Sequence, residues 1–454
     1  MKVLGDNMNY AVILAAGKGS RMNQSIPKCC VEILHKPMIS YIVDSIDNLD
    51  LDETICIVGD KRNYIMDLLK DRVSYRVQSR PLGSADAIKA LKGIDEEGYC
   101  LILNADSPNI DSNLMQQLIK KHIEDGNDLT ICSCILDNPS GFGRVVRNIS
   151  GKITQIVEDR VCDEKKRKIK EINGGIYVCR SSLLLDAVFK IKCNPIANEF
   201  FLTDIVEILQ DYKIGCLMVD DNTKLLGANN LYELAQLEEK MRRAILQRHM
   251  ENGVKIEGLN DTYIGADVVI EENCLIAHSK IYGNSIIHKN SKIDDSFINN
   301  SIIFDDSSIF KSVIDSSIIG KKCTVGPFSH IRNHSMICGN NRVGNFVEIK
   351  KSNVGVDTKL SHLAYMGDTL CGSNVNFGCG SITVNYDGKK KNQTTIGDNV
   401  FIGCNSNLIA PIHIDDHSFV AAGSTITENL NPGDFAIARS SQVTKKGYAK
   451  RYEE

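Results

Sequence analysis

Three groups of residues in this 454-residue chain have types and spacings suited to chemistry. The first is Leu14-Ala15-Ala16-Gly17-Lys18-Gly19-Ser20-Arg21-Met22, a small-residue loop directly behind an apolar run, followed by Pro27-Lys28. Where side chains are small, backbone N–H groups approach and cradle phosphate oxygens. The spacing is neither a P-loop nor a dinucleotide fingerprint. The second group lies downstream. Gln78 with Leu82-Gly83-Ser84-Ala85 precedes a helical stretch, and reads either as recognition of a base and ribose or as a helix cap with Ser84 as the capping hydroxyl. Asp106 directly follows a strand. It is either a turn former or, in line with a phosphate loop, a ligand for Mg²⁺, since a hard cation takes carboxylate and phosphate oxygens. The third group is Lys350, Lys351, His362, Tyr365, Asn376, Asn385, Tyr386 and Lys391, crowded into a stretch where an otherwise regular repeat breaks.

The elements that must hold these residues differ between the two halves. From Tyr10, short β-rich runs alternate with helical ones: Tyr10 to Leu14, a helix near Met38 to Ile46, Thr54 to Val58, a helical stretch from Ser84 to Leu91, Cys100 to Leu103, a helix from Leu114 to Ile123, and Leu129 to Leu136. This alternation predicts a Rossmann-like α/β domain with a mostly parallel sheet covered on both faces. Ligands in such sheets sit beyond the carboxyl ends of the strands. Leu231, Leu234, Leu237, Met241 and Ile245 then recur at helical spacing, with Glu238, Glu239, Lys240, Arg242 and Arg243 on the other faces, and predict one long amphipathic linker helix.

Beyond the helix the period becomes six. Aliphatics fall at Ile264, Ile270 and Ile276, at Val325, Ile331, Ile337, Val343 and Ile349, and at Ile396, Ile402, Leu408, Ile414, Val420 and Ile426. Six fits neither a helix nor a sheet meander; it is the step of a parallel β-helix built from hexapeptides. Glycines after the aliphatic, at Gly265, Gly326, Gly344, Gly397 and Gly403, are expected at tight corners. Such a prism either staples subunits together or carries a site, and the polar residues at the break favour a site.

Composition narrows the classes further. A net charge of −4 and the lack of a long basic stripe argue against a nucleic-acid partner. The dense basic patch Lys165, Lys166, Arg167, Lys168 and Lys170 is expected at a solvated hairpin tip. Sixteen cysteines without a C-x-x-C pair form no zinc or redox motif and suit a reducing cytoplasm. The apolar run Tyr10 to Ala16 is too short for a signal peptide or membrane span.

The glycine loop with Arg21 and Lys28 resembles the signature of sugar-phosphate nucleotidylyltransferases. Gly141-Phe142-Gly143-Arg144, Ile156-Val157-Glu158, Glu171-Ile172-Asn173-Gly174-Gly175 and Leu202-Thr203-Asp204 follow in order, and later come Leu360-Ser361-His362-Leu363-Ala364-Tyr365-Met366-Gly367-Asp368 and Val384-Asn385-Tyr386-Asp387-Gly388. From about Tyr10 to Tyr448 the chain resembles the bifunctional bacterial N-acetylglucosamine-1-phosphate uridyltransferase/glucosamine-1-phosphate acetyltransferase family. The resemblance implies a uridyltransferase domain over 1–228, a linker helix over 229–252, and a left-handed β-helix acetyltransferase domain over 253–454 with a C-terminal arm from about 436. It implies that Leu14, Ala15, Ala16, Gly17, Lys28, Gln78, Gly83 and Ser84 hold UTP, that Gly143, Glu158 and Asn173 hold the N-acetylated sugar, and that Asp106 and Asn229 bind Mg²⁺. His362 is then the general base of acetyl transfer, a role suited to its pKa. Arg332 and Lys350 meet the phosphate of glucosamine 1-phosphate in a pocket completed by Tyr365, Asn376 and Lys391. Cys379, Asn385, Tyr386, Cys404, Ala422 and Arg439 contact acetyl-CoA. A homotrimer is implied, with acetyl sites between chains.

The chain departs from that family at five positions. Cys379 stands where Ala is usual, Cys404 where Ser is, Tyr448 where Trp is, and His35 and Ala105 where Gly is. Two other readings remain at this stage: a nucleotidylyltransferase whose prism only oligomerises, and a non-catalytic scaffold that senses nucleotide sugars.

Overall fold

The structure, a computed structural model, describes residues 8–17, 26–228 and 230–452. Two of the expected site residues, Arg21 and Asn229, lie outside the described residues. The chain divides into two compact units, Met1–Met241 and Arg242–Glu454.

The first unit is built on a sheet whose main path runs, in spatial order, Ile214–Val219, Leu129–Ile135, Glu171–Arg180, Tyr99–Asn104, Tyr10–Ala15, Glu53–Val58 and Ser74–Val77. All pairs on that path are parallel except those made by Glu171–Arg180, which runs antiparallel to both neighbours. The central strand reads YAVILA because both of its faces are buried. Val12 packs with Ile55, Ile102 and Ile131 on one side, while Ile13 packs with Ile42, Leu101 and Cys132 on the other. Alternate residues of one strand thus serve two cores.

Tyr10–Ala15 has the neighbour that follows it in sequence on one side and Tyr99–Asn104 on the other. The connections diverge there, and the crevice beyond the carboxyl ends is the expected ligand position. The basic segment forms a short helix, Glu164–Arg167, rather than a hairpin tip: the Asp163 carboxylate accepts from Lys166 N at 2.8 Å and caps it.

Leu231–Glu251 is a single helix of 21 residues. Leu234, Leu237, Met241 and Ile245 are buried as the spacing predicts, but Leu231 is exposed and Arg242 is buried to 1 % exposure. Arg242 is held because its guanidinium donates to Leu259 O and Thr262 O, at 2.5 and 2.9 Å, and stacks 5.0 Å from the Tyr263 ring centroid. Carbonyl acceptors offset the desolvation of a buried cation.

The second unit is a parallel β-helix of strands mostly two or three residues long. Ile293 pairs with Ile309, Ile314 with Ile331 and Val325 with Val343, steps of 16, 17 and 18 residues. The six-step is therefore silent between Ile276 and Val325, where coils are shorter than three hexapeptides. The aliphatics still point inward, with Ile293, Ile298, Ile314 and Ile331 fully buried, each contributing about 1.5–3 kcal/mol.

Buried serines form a second ladder. Ser296 N donates to Ser279 Oγ, Ser312 N to Ser296 Oγ and Ser329 N to Ser312 Oγ, at 3.1–3.2 Å. Small hydroxyls thus satisfy the backbone where the coil turns. The corners differ from the expectation. Gly326 has a positive φ of +108°, but Gly344, Gly397 and Gly403 sit where a Cβ would collide with the next coil. The left-handed corner positions fall largely to polar residues such as Asn273, Asn290, Asn340, Asn399 and Asn405, since Asn tolerates that conformation.

Candidate active sites

In the first unit, residues at the carboxyl ends of the strands line a cavity of about 590 Å³. Leu14, Ala15, Ala16 and Gly17 come from the end of the central strand, Asp106 from the end of Tyr99–Asn104, and Gln78 from just beyond Ser74–Val77. Lys28, Gly83, Ser84 and Glu158 also line it, whereas Gly143 and Asn173 are not among its lining residues.

Lys28 Nζ is ion-paired with Asp106 Oδ2. Gln78 Nε2 donates to Gly83 O and Asp86 Oδ2, both at 3.0 Å. Gly83 has φ +116°, and a Cβ there would collide with the Phe200 backbone, so the glycine is required. Ser84 is not the capping hydroxyl: the cap position is Gly83, and Ser84 Oγ accepts from Leu202 N at 2.9 Å, joining two walls of the cavity.

Gly143 and Asn173 adjoin Glu158. A Cβ on Gly143 would stand 3.7 Å from Glu158 Oε1 and 3.6 Å from Asn173 Cβ. The Gly174-Gly175 pair makes a register shift between Asn173 and Tyr177, a bulge that re-aims the Asn side chain. Asn173 Nδ2 donates to Tyr177 OH at 2.6 Å. Thr203 Oγ1 donates to Glu158 Oε1 at 3.0 Å. Burial nevertheless pushes the Glu158 carboxyl above its ordinary value, because desolvation outweighs that bond.

Arg160, Glu199 and Phe201 also line the cavity. Arg160 makes a two-armed pair with Glu199, at 3.1 and 2.5 Å, and lies 4.9 Å from the Phe201 ring centroid. No motif drew attention to these three. A signal was available for Phe201, which immediately precedes Leu202-Thr203-Asp204.

Could the cavity take a divalent cation? Asp106 supplies a hard oxygen, and the segment leading to residue 229 packs against it, since a Cβ on Gly227 would stand 2.9 Å from Asp106 O. The donor chemistry fits such an ion.

In the second unit the expected residues gather along the prism. His362 Nδ1 lies 3.0 Å from Asn345 Oδ1, its register partner one coil earlier. An amide oxygen only accepts, so Nδ1 carries the hydrogen, and in the neutral ring Nε2 is the nitrogen with the lone pair. Arg332, Lys350 and Gly367 follow one another in register on successive coils, which places two cations side by side. Arg332 is aimed by Glu348 Oε1, with Nε at 2.9 Å and Nη2 at 2.6 Å.

At Gly367 a Cβ would lie 2.5 Å from Asn385 Nδ2 and would collide with Tyr365 OH. Those two side chains fill the space that the glycine leaves. Asn385 Nδ2 donates to Asp368 Oδ2 at 2.6 Å.

The break in the repeat is one enlarged coil: Thr369 pairs with Thr394, a step of 25 residues. Its extra residues form a hairpin bridged by Tyr386 and Lys391, with Lys391 Nζ 4.6 Å from the Tyr386 ring centroid. Asp387 ties the turn by accepting from Lys389 N and Lys390 N at 2.8 Å, and these bonds, the Lys390 amide first, hold its carboxyl down at about 2.

Cys379, Cys404, Ala422 and Arg439 form one column beside His362. Leu363 O accepts from Gly380 N, Cys379 O from Asn405 N and Cys404 O from Gly423 N, at 2.6–2.8 Å. A Cβ on Gly423 would stand 3.7 Å from Arg439 Cδ. Asn376 is exposed and in register with Lys359 and Phe401. Among the described residues no hydrogen bond joins Asn376, Lys391 or Arg439 to His362. Asn345, Glu348 and Asp368 were missed in the sequence. Asn345 was findable, standing one 17-residue coil before His362.

His35 stands where the resemblance puts Gly. It occupies the second place of a two-residue turn with φ +62°, after Leu34 at +50°, which explains the family's preference for glycine there.

Comparison with known proteins agrees with this division. Residues 10–223 match the nucleotidyl transferase family, and residues 393–428 match the bacterial transferase hexapeptide family of six repeats. The chain is similar to the bifunctional protein GlmU of Thermoanaerobacter pseudethanolicus, 44 % identical over 447 residues that cover 96 % of each chain. It is 42 % identical to that of Acholeplasma laidlawii over 452 residues, 97 % of each. The protein of the same name from Clostridium acetobutylicum is 38 % identical over 450 residues, 96 % of this chain and 97 % of the relative. Among the described residues no helix is long and apolar enough to cross a membrane.

Proposed function

The chain belongs to the GlmU family of bifunctional proteins, an enzyme with uridyltransferase and glucosamine-1-phosphate acetyltransferase activities, and on that premise we propose which residues perform each reaction. Acetyl transfer takes place along the His362 edge of the left-handed β-helix. The amine of glucosamine 1-phosphate attacks the thioester carbonyl of acetyl-CoA, His362 Nε2 takes the amine proton, and coenzyme A leaves as thiol. Arg332 and Lys350 neutralise the sugar phosphate, with Tyr365, Asn376 and Lys391 completing that pocket. Asn385 and Tyr386 hold the acyl carrier together with Cys379, Cys404, Ala422 and Arg439. The contact between Asn345 and His362 Nδ1 carries this reading, because it leaves the other ring nitrogen as a base.

Uridylyl transfer takes place in the cavity of the first unit. The phosphate of N-acetylglucosamine 1-phosphate displaces pyrophosphate from the α-phosphorus of UTP, giving UDP-N-acetylglucosamine. Leu14 to Gly17 and Arg21 receive the nucleotide phosphates, Lys28 neutralises charge, and Gln78, Gly83 and Ser84 hold base and ribose. Gly143, Glu158 and Asn173 take the N-acetylated sugar. Mg²⁺ would be held by Asp106 and Asn229, and its chemistry there is to neutralise phosphate charge. The protein's own part is positioning.

The domain limits that follow are 1–228 for uridylyl transfer, 229–252 for the linker helix and 253–454 for acetyl transfer with its arm. A homotrimer is the proposed assembly. The hexapeptide repeats and the exposure of His362, Asn376, Tyr386, Ala422 and Arg439 in the single chain support it. Cysteine usage suits a reducing compartment, and the cytoplasm is the proposed setting.

The test is to run each half-reaction alone with the purified chain. N-acetylglucosamine 1-phosphate should form from glucosamine 1-phosphate and acetyl-CoA without UTP, detected by mass spectrometry. Pyrophosphate should form from UTP and N-acetylglucosamine 1-phosphate without acetyl-CoA. Absence of the first product would reduce the prism to an oligomerisation device.

A further inference from the structure

Glu271, His288 and Asp305 stand at one edge of the β-helix on three successive coils, away from the His362 group in the coil order. One carboxylate oxygen or ring nitrogen from each lies within 4.8 Å of the other two. Register places Glu271 beside His288 and His288 beside Phe304, since Ile270 pairs with Ile287 and Ile287 with Ile303. Asp305 follows Phe304 directly. Neighbouring strands are about 4.8 Å apart, so the backbones of residues 271 and 305 are separated by about twice that. Their carboxylates nevertheless converge. Like charges brought that close disfavour one another unless positive charge stands between them.

The geometry around His288 is fixed. Its ring stacks on Phe304 with centroids 4.9 Å apart and planes within 10°, and Nδ1 lies 3.3 Å from Glu271 Oε1. The remaining carboxylate oxygens have other partners: Glu271 Oε2 accepts from Lys289 N at 3.0 Å, and Asp305 Oδ2 pairs with Lys321 Nζ at 2.9 Å. Lys289 Nζ itself points to Glu272 Oε1, at 2.8 Å. One ligand atom from each acid and one imidazole nitrogen therefore face the same space.

We propose that this edge binds a first-row divalent cation of the zinc type. A mixed imidazole and carboxylate set suits zinc better than magnesium, which prefers oxygen alone. Three protein ligands on a partly exposed edge leave further coordination positions to water. The ion is therefore exchangeable, and its effect is to tie three coils of the β-helix together rather than to act on substrate. The competing account is that the three side chains meet there with no metal.

The experiment uses the full chain, stripped of metal by a chelator and dialysed against Zn²⁺ without nucleotide. Bound zinc is measured by elemental analysis and the thermal midpoint is recorded with and without the ion. The expected result is one equivalent of zinc lost in His288→Ala, together with the zinc-dependent rise in midpoint. The equivalent is retained in Asp106→Asn, which excludes the uridylyl site as its source. Asp305→Asn, nearly isosteric, should repeat the loss and guards against a folding defect in the first variant. If either His288→Ala or Asp305→Asn binds as much zinc as the unaltered chain, the proposal is wrong.

Discussion

His362 Nδ1 lies 3.0 Å from the side-chain oxygen of Asn345, the residue one coil earlier in the same register. The contact ties the orientation and tautomer of the proposed base to the regularity of the β-helix: the coil that places one residue also places the other. General bases of this kind contribute about 10²–10⁴-fold.

Asn345→Leu should lower kcat for acetyl transfer by about tenfold without altering uridylyl transfer, since the base survives but is no longer held. Asn345→Asp should move the acid limb of the pH profile to higher pH. A carboxylate beside the ring favours the imidazolium, the reaction needs the neutral form, and more alkaline conditions are then required to reach it. An unmoved limb in the aspartate variant would show that Asn345 only packs.

Lys28 and Asp106 are paired in the cavity. Lys28→Met should cut uridylyl transfer by about 10²–10³-fold, the range for losing one charge-stabilising group, and leave acetyl transfer intact. Both half-reactions falling together would mean that the substitution damages the fold.

Asp204 gives the first unit a pH dependence. Burial, followed by the charges of Glu207 and Glu158, raises its carboxyl from 3.8 to about 6. Between those values the folded chain keeps a proton that the unfolded chain has lost, so stability falls as pH rises from about 3.8 through about 6 and is level above. Asp204→Asn should gain on the unaltered chain over that interval in urea unfolding. A difference between the two that does not change with pH would refute the assignment.

The thiols divide by environment. Cys404 is exposed and Cys379 partly so, both in the column beside His362, whereas Cys29 lines the cavity of the first unit but is buried. Its hydrogen bond with Cys30, then burial, raises the Cys29 thiol well above the ordinary value and keeps it unreactive. Iodoacetamide should therefore suppress acetyl transfer, and Cys379→Ala with Cys404→Ser should protect it; the same hydrogen bond lowers the half-buried Cys30 thiol, so any loss of uridylyl transfer should be relieved by Cys30→Ala. Acetyl transfer lost as fully in the Cys379→Ala, Cys404→Ser variant would contradict this.

Much of the fold was legible because both halves write their architecture as a period. Strand and helix alternation around Tyr10–Ala15 and the six-step from Val325 onward each reflect a buried face that recurs at a fixed interval. The coils from Ile276 to Val325 were illegible by that count because they run 16 or 17 residues, and their buried serines look like surface residues in the sequence. Glycines were misread as corner formers where Gly344 and Gly403 clear space for the next coil. In the candidate sites, motif residues such as Lys28, Asp106 and His362 could be picked out. Their supports could not: Glu348, Asp368 and Glu199 act through contacts between coils or loops, which spacing along the chain does not encode. Arg242 reads as lying off the apolar stripe of its helix, and the carbonyls that bury it belong to residues 17 and 20 further on.

The most direct test of two separate sites on one chain is reciprocal inactivation. His362→Ala and Lys28→Met would each be assayed in both half-reactions, with mass spectrometry for N-acetylglucosamine 1-phosphate and pyrophosphate release for uridylyl transfer. The account predicts that His362→Ala loses acetyl transfer by about 10²-fold or more while releasing pyrophosphate normally, and that Lys28→Met shows the reverse. Acetyl transfer that persists in His362→Ala would contradict it.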